Sequence, residues 1–241
     1  MAKLIYTIAQ NGYGRAFASC IRSQRRYAAR VGAEYVVIEK PNFVSHPALS
    51  AWLKIPVMLH ALEAGFDEVA YIDADCEVKE DAPDFADPLR ASGEDVMMAL
   101  GRSGRVNSGV MFARSSAASI GFFGRVRESL TEEIPDDARA NLKYENGNVI
   151  YVAETAGGIG VLPVEWNNTV DPSLRDYVRH YSGPMSGHYK RNVMDSAFYW
   201  LIKKTIARRP RQPAKREQSF ADSLDQLVGD VHSAYPALVR G

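Results

Sequence analysis

Two carboxylates set two residues apart, Asp73 and Asp75, close the segment Val69-Ala70-Tyr71-Ile72-Asp73-Ala74-Asp75. The residues before them are apolar enough for a buried strand. Such a strand cannot hide ionised carboxylates, because desolvating them is costly without a partner or a metal. Both acids therefore belong at its exposed end, where alternation puts them on one face, roughly 6–7 Å apart along the chain. That spacing suits one carboxylate on a hard divalent cation and the other on the same ion or on a ribose hydroxyl. The cation would be Mn²⁺ or Mg²⁺, held by oxygen ligands and bridging a diphosphate. A bare Asp-x-Asp also fits a solvated turn with helix-capping acids; the apolar strand in front of this one favours a site.

Three further segments carry polar groups suited to a ligand. Asn107-Ser108-Gly109-Val110-Met111 opens a strand. Its glycine permits close backbone approach, and Asn107 and Ser108 offer hydrogen bonds to a sugar. Trp166-Asn167-Asn168 follows a strand that ends at Pro163. His180-Tyr181-Ser182-Gly183-Pro184 holds the one histidine of five that sits in a short run ending in a glycine loop, where imidazole can complete a metal shell. A lone histidine is more often structural, but His180 ranks above His46, His60, His188 and His232.

The elements that must position these groups alternate. Leu4–Ala9 reads as a strand that ends in Gln10-Asn11-Gly12-Tyr13-Gly14. Phe17, Ile21, Ala28 and Val31 recur at helical spacing and stop at Gly32, and Tyr35–Ile38 is a second strand. This β-α-β opening predicts a parallel sheet with right-handed crossovers. Residues 40–50 read as a loop, followed by a helix from Lys54 to Gly65, since Pro56 is tolerated only in a first turn. Strands follow at Val69–Ile72, Val96–Leu100, Gly109–Ala113 and Gly160–Pro163, with helices near 115–130, 144–155 and Val193–Ile206. Ligands of open α/β sheets bind outside the carboxyl ends of the strands, where the polar motifs fall.

Composition narrows the class. The 241 residues are 46% hydrophobic and 24% charged, enough for one sizeable α/β core. Lys plus Arg equals Asp plus Glu at 29 each, so charge gives no argument for a nucleic-acid partner. Cys20 and Cys76 form no CxxC pair and read as small core residues of a reducing compartment. No apolar run approaches the ~20 residues that span a bilayer, so a cytoplasmic protein is expected. One asymmetry remains: Lys203 to Arg216 carries seven bases and no acid. Such a run is usually a solvated face, and is otherwise suited to peripheral contact with an anionic membrane.

The order of these motifs resembles the GT-A-fold retaining glycosyltransferases. The nearest groups are the glycogenin-like and bacterial lipooligosaccharide galactosyltransferases and the fungal and plant mannosyl-, galactosyl- and xylosyltransferases. The pieces are Asp73/Asp75, Asn107-Ser108-Gly109, Glu145-Asn146, Trp166-Asn167 and His180-Tyr181-Ser182-Gly183, spread over most of the chain. The resemblance implies one GT-A domain over 1–241, a Rossmann-like, mostly parallel sheet flanked by helices, with a basic C-terminal segment from about 203. It implies that Asp73, Asp75 and His180 hold Mn²⁺ on the diphosphate of a nucleotide-sugar, a UDP-hexose by default. The donor would lie against Ala9, Asn11, Tyr13, Lys54, Asp73, Ala74, Asn107, Ser108, Trp166, Asn167 and Gly183, with Tyr13 stacking on the base and Lys54 near phosphate or sugar. Glu145 and Asn146 would stand at the reacting sugar, Glu145 where the family carries Asp. The acceptor, a glycan, a lipid-linked sugar or a small molecule, is not specified.

Two departures from the family pattern stand out. Ser186 occupies a position that often holds Lys, with Lys190 four residues on, and Asp195 rivals Glu145 as the key carboxylate. Other classes compete for the same residues. A haloacid-dehalogenase-type phosphatase also uses Asp-x-Asp after a strand, but normally the first strand. A sugar-phosphate nucleotidyltransferase would claim Gly12-Tyr13-Gly14-Arg15, and a non-catalytic nucleotide-sugar binder would keep the same acids.

Overall fold

The computed structural model describes residues 1–135, 144–191, 193–208 and 219–238, without the side chains of 203 and 205–208. The strands are β1 (Lys3–Ile8), β2 (Glu34–Ile38), β3 (Glu68–Ile72), β4 (Cys76–Val78), β5 (Val96–Leu100), β6 (Val106–Arg114), β7 (Gly160–Leu162) and β8 (Val178–His180). Six of them form one sheet in the order β2-β1-β3-β6-β5-β7, and β4 pairs with β8 in a separate two-stranded arm. β1 runs parallel to β2 and β3, and β5 parallel to β7. Only β6, antiparallel to both of its neighbours, runs against the rest of the six-stranded sheet. The mostly parallel sheet expected from the β-α-β opening is present.

The helices are α1 (Tyr13–Ala16), α2 (Ala18–Val31), α3 (Pro47–Trp52), α4 (Lys54–Glu63), α5 (Ala86–Ser92), α6 (Ala117–Glu128), α7 (Asn146–Ala156), α8 (Val193–Arg208) and α9 (Phe220–Ala234). Period-two alternation divides the sheet's side chains between two apolar layers. Leu4, Tyr6, Val69, Tyr71, Met98 and Met111 face α4, α6, α7 and α9. Ile5, Ala70, Ile72, Met97, Val110 and Phe112 pack with Tyr27 of α2, Leu89 of α5 and Trp166. α2 ends as its sequence requires: Gly32 takes φ 68, a left-handed conformation that a Cβ disfavours, and Ala33 N–H closes back on Ala28 O at 2.9 Å.

Several elements depart from the sequence reading. Residues 47–52 are helical rather than loop: Pro47 opens α3 at a position where its missing N–H costs nothing, and the side chain of His46 accepts from Ala48 N–H. α4 does begin at Lys54, with Pro56 in its first turn. Asn107-Ser108-Gly109 lies inside β6, which starts at Val106, rather than in front of a strand. β4, α5, β8 and α9 were not foreseen.

α9 makes the C-terminal region more than a basic appendage. Leu224, Leu227, Val228 and Val231 join the main core, and the hydroxyl of Tyr235 accepts the N–H groups of Glu39 and Lys40 at 2.8 and 3.0 Å. His232 meets His60 of α4 at 3.2 Å. Of the basic run Lys203–Arg216, only the backbone of α8 and the side chain of Lys204 fall within the described residues. No described helix is long and apolar enough to cross a membrane.

Candidate active site

β3 delivers the acidic pair to the carboxyl edge of the sheet. Asp73 N–H donates to Gly109 O at 2.8 Å, which carries the β3–β6 pairing one step past the strand. The chain then turns, with Cys76 N–H on Asp73 O, and enters β4. β4 pairs antiparallel with β8 in a register that sets Cys76 opposite His180, and Tyr181 N–H donates to Asp75 O at 3.0 Å. This arm of two three-residue strands brings together groups more than a hundred positions apart. His180 Nε2 lies 3.3 Å from Asp75 Oδ1 and 3.8 Å from Asp73 Oδ2.

The tautomer of His180 follows from a chain of hydrogen bonds. Gly109 N–H can only donate, so Asn107 Oδ1 is its acceptor, at 2.9 Å. Asn167 Nδ2 donates to the same oxygen at 3.0 Å, which turns Asn167 Oδ1 toward His180 Nδ1 at 2.9 Å. His180 Nδ1–H is therefore the donor there, and the neutral ring presents its Nε2 lone pair to the two carboxylates. That arrangement is repulsive unless a proton or a cation lies between them. Burial pushes the His180 pKa down, but Asp75 and then Asp73 outweigh it and hold it above the ordinary value. Burial likewise pushes Asp75 up, yet His180 brings it below the usual carboxylate range. For Asp73 burial wins, offset only in part by Lys54 and His180.

A second network lies beside the first. The buried Lys54 ammonium is 2.7 Å from Glu145 Oε1 and 3.3 Å from Asp73 Oδ1, and it sits over the Tyr71 ring at 4.6 Å. Ser108 Oγ donates to Glu145 Oε1 and Ser108 N–H to Asn146 Oδ1, both at 2.8 Å, while the Tyr71 hydroxyl donates to Asp73 Oδ1. Burial pushes the lysine pKa down, but Asp73 and Glu145 together keep it above its ordinary value, so it stays charged. The other oxygen of Glu145, Oε2, is buried and has no hydrogen-bond partner among the described residues. Buried polar atoms are nearly always paired, so an unpaired carboxylate oxygen marks a place for a ligand group.

Both networks line one cavity of 480 Å³. Among the expected residues, Asn11, Tyr13, Lys54, Asp73, Ala74, Asp75, Asn107, Ser108, Glu145, Asn146 and His180 all reach its wall. Asn11 holds φ 56, and its Oδ1 accepts from Val44 N–H at 2.9 Å. The tip of Tyr13 is not a free stacking face alone, because its ring also packs against Phe17 and Tyr199. Lys54 is not held in reserve for phosphate, since two carboxylates already partner it.

Other expected residues do not reach the wall. Trp166 is buried in the core, edge-on to Phe112 at 5.0 Å and beside Tyr177. Asn167 acts one step back, through His180. Ala9 packs on Ile21 and Ala74, between the lining residues Ile8 and Gln10. Gly183 starts a short 3-10 turn with φ 49, next to the lining Ser182. Asp195 pairs with Arg15 at 2.9 Å, and exposed Lys190 does not line the cavity. Gln10, Ser50, Tyr71 and Tyr144 line it without having been foreseen; Tyr71 was legible as the strand residue two before Asp73, on the same face.

The carboxylates and the imidazole at the end of β3 and in β8 are residues that could hold a divalent cation. Asp75 Oδ1 stands 3.3 Å and Asp73 Oδ2 3.8 Å from His180 Nε2, oxygen and imidazole donors that could share a cation. Among the described residues, the group whose ligand atoms all lie within 4.8 Å of one another is Asp75, Cys76 and His180, with Asp73 just outside it. Cys76 is a poor ligand for a hard ion, because burial and then Asp75 push its thiol well above the ordinary value. Charge makes the stronger case. Among the described residues the wall carries three carboxylates (Asp73, Asp75 and Glu145) against one ammonium, Lys54, a formal −2 with His180 neutral. One divalent ion neutralises that; a diphosphate alone would be repelled.

Gly109 keeps the two halves of the site in contact. A Cβ there would stand 2.8 Å from His180 Nδ1 and 2.9 Å from Asn107 Oδ1. Gly109→Ala is expected to displace the imidazole, weakening metal binding roughly 10- to 100-fold, as loss of a supporting partner does, and costing about 1–3 kcal/mol of stability through overpacking. Calorimetric titration with Mn²⁺ and a urea melt read the two effects separately.

No protein-family model matches this chain, and no curated protein matches it. Solved structures do. A glycosyltransferase involved in the glycosylation of the major capsid of PBCV-1 superposes with a TM-score of 0.57 at 13% identity, over 78% of this chain and 98% of that one. The apo form of the glycosyltransferase GlyE from Streptococcus pneumoniae TIGR4 gives a TM-score of 0.50 at 11% identity. That match covers 86% of this chain and 62% of GlyE, so the chain spans less than two thirds of that protein's length. At such identities the likeness speaks to the fold, which is the GT-A fold the motif order implied.

Proposed function

We propose that this chain is a metal-dependent glycosyltransferase that moves a hexose from a nucleoside-diphosphate sugar, UDP-linked by default, to an acceptor, with retention at the anomeric carbon. The observation that carries the reading is the meeting of Asp73, Asp75 and His180 on the wall of one cavity whose described residues, with His180 neutral, sum to a formal −2. Such a wall rejects a diphosphate unless a cation comes with it. Mn²⁺ bound to these three residues would supply positive charge to the leaving diphosphate, an electrostatic task suited to a preorganised site.

The chain's own residues divide the remaining work. Asn107 and Asn167 fix the imidazole so that Nε2 faces the carboxylates. Lys54 holds Asp73 and Glu145 in place and keeps two of the three acids from repelling one another. Glu145 keeps Oε2 free to accept a sugar hydroxyl or to face positive charge developing at the anomeric carbon. Asn146 anchors the backbone of Ser108 and so positions the Ser108 hydroxyl on Glu145. Gln10, Asn11 and Tyr13, at the end of β1, are placed to meet the nucleoside, and the acceptor is proposed to approach past Ser182 and the turn that follows it.

Nothing in the site favours a phosphatase, because Asp73 ends the third strand of the chain and its Oδ1 is already engaged by Tyr71 and Lys54. Retention is tested without knowing the acceptor. Slow hydrolysis of an α-linked donor, followed by proton NMR before the sugar mutarotates, is expected to release the α-anomer first. A β-anomer appearing first would overturn retention.

A further inference from the structure

We propose that α9 is a strap that fixes the nucleoside end of the cavity, with Tyr235 a positioning residue that acts through Gln10. The inference rests on the reading of that cavity as a nucleotide-sugar site. α9 packs on α3, and both of its ends are tied. At its start the Phe220 ring stands edge-on to His46, with 5.7 Å between centroids, and His46 is the N-cap of α3. At its end the Tyr235 ring packs against the main core, and its hydroxyl accepts two successive N–H groups, Glu39 at 2.8 Å and Lys40 at 3.0 Å. β2 ends at Ile38, so these N–H groups lie past the strand pairing that would otherwise take them. A phenol oxygen has two lone pairs, and the segment leaving β2 uses both.

That segment in turn holds the wall. Lys40 O accepts from Gln10 Nε2 at 3.2 Å, and Ser50 Oγ donates to Gln10 Oε1 at 2.8 Å. A carbonyl only accepts, so the Gln10 NH₂ group must face Lys40 and Oε1 must face Ser50; the amide cannot turn over. Its second N–H is then what Gln10 offers to an acceptor oxygen of the nucleoside. Asn11 is tied to the same stretch, its N–H on Asn42 O at 3.1 Å and its Oδ1 under Val44 N–H at 2.9 Å. Gln10, Asn11 and Ser50 line the cavity, whereas Glu39, Lys40 and Tyr235 stand behind them. None of these bonds involves Asp73, Asp75 or His180. Loosening the end of α9 therefore costs the nucleoside contact and spares the cation site.

Calorimetric titration of the full chain with UDP, GDP, ADP and inorganic pyrophosphate, each with Mn²⁺ in excess, separates the two ends of the cavity. Wild type is expected to bind at least one of the nucleoside diphosphates more tightly than pyrophosphate. Tyr235→Phe keeps the ring and its packing but removes the shared acceptor. It is expected to melt cooperatively, to bind that nucleoside diphosphate roughly 3- to 10-fold more weakly, as loss of a modest hydrogen bond does, and to bind pyrophosphate within about twofold of wild type. Gln10→Ala removes the same contact directly, so Tyr235→Phe is expected to add almost nothing in its background. A loss shared equally by pyrophosphate, no loss at all, losses that multiply in the double variant, or a Tyr235→Phe chain that no longer folds overturns the proposal. Wild type binding pyrophosphate as tightly as every nucleoside diphosphate overturns it too, while leaving the diphosphate reading standing. Wild type binding none of the four overturns both.

Discussion

Lys54→Met is expected to destabilise the protein by about 3–5 kcal/mol, the cost of leaving a buried carboxylate without its partner. Lys54 and Glu145 are 5% and 4% exposed and lie 2.7 Å apart, and Asp73 leans on the same ammonium. Methionine matches the lysine stem in shape, so the loss would be electrostatic rather than a cavity. Lys54→Met/Glu145→Gln is expected to recover most of that stability, because the neutral amide keeps the hydrogen bond from Ser108 and no longer needs a cation. Neither variant should transfer sugar, since the first loses the ordering of Asp73 and the second the free carboxylate oxygen. Urea melts separate the two effects; a single variant within about 1 kcal/mol of wild type would show that the buried pair is not the anchor described above.

How much of this site was legible beforehand depends on how local each signal is. Asp73 and Asp75 announced themselves, because an apolar strand ending in acids has few ways to solvate them. Lys54 as the start of α4 followed from the tolerance of Pro56 in a first turn. The means by which His180 reaches Asp75 did not show: β4 and β8 are three residues each, too short for an alternating pattern to stand out, and their pairing spans more than a hundred residues. Trp166 was read with its neighbour Asn167 as one ligand-facing step, but adjacent side chains point to opposite sides. The indole went to the core and the amide to His180. α3 was hidden because Pro41, Asn42, Ser45 and Pro47 read as a loop over 40–50, although proline is over-represented at the first helical position. α9 fell within a stretch whose basic charge drew the reading toward a tail.

His180→Ala and Asp75→Ala are expected to abolish metal-dependent donor binding and to lower transfer by on the order of a thousandfold or more, the several kcal/mol that a bound cation contributes to charge stabilisation. The fold should survive both, since neither side chain belongs to the apolar layers. Asn167→Ala removes only the partner of Nδ1, so it should weaken the metal roughly 10- to 100-fold without abolishing it. The ranking carries the information: equal losses in all three variants would point to a collapsed site rather than to two ligands and a support. Titration of Mn²⁺ into each variant, in the presence of a fixed nucleoside diphosphate, reads that ranking directly.

The central claim is that a wall whose described residues carry three carboxylates and one ammonium accepts a nucleoside diphosphate only together with a divalent cation. A thermal-unfolding screen of nucleoside diphosphates and nucleotide-sugars, each with and without Mn²⁺, tests it most directly, because a ligand of the folded state raises the melting temperature by mass action. The account predicts a rise for at least one of these compounds with Mn²⁺, none for the same compound with chelator, and none in Asp75→Ala under either condition. A rise that is the same with chelator as with Mn²⁺, or no rise with any compound, would contradict it.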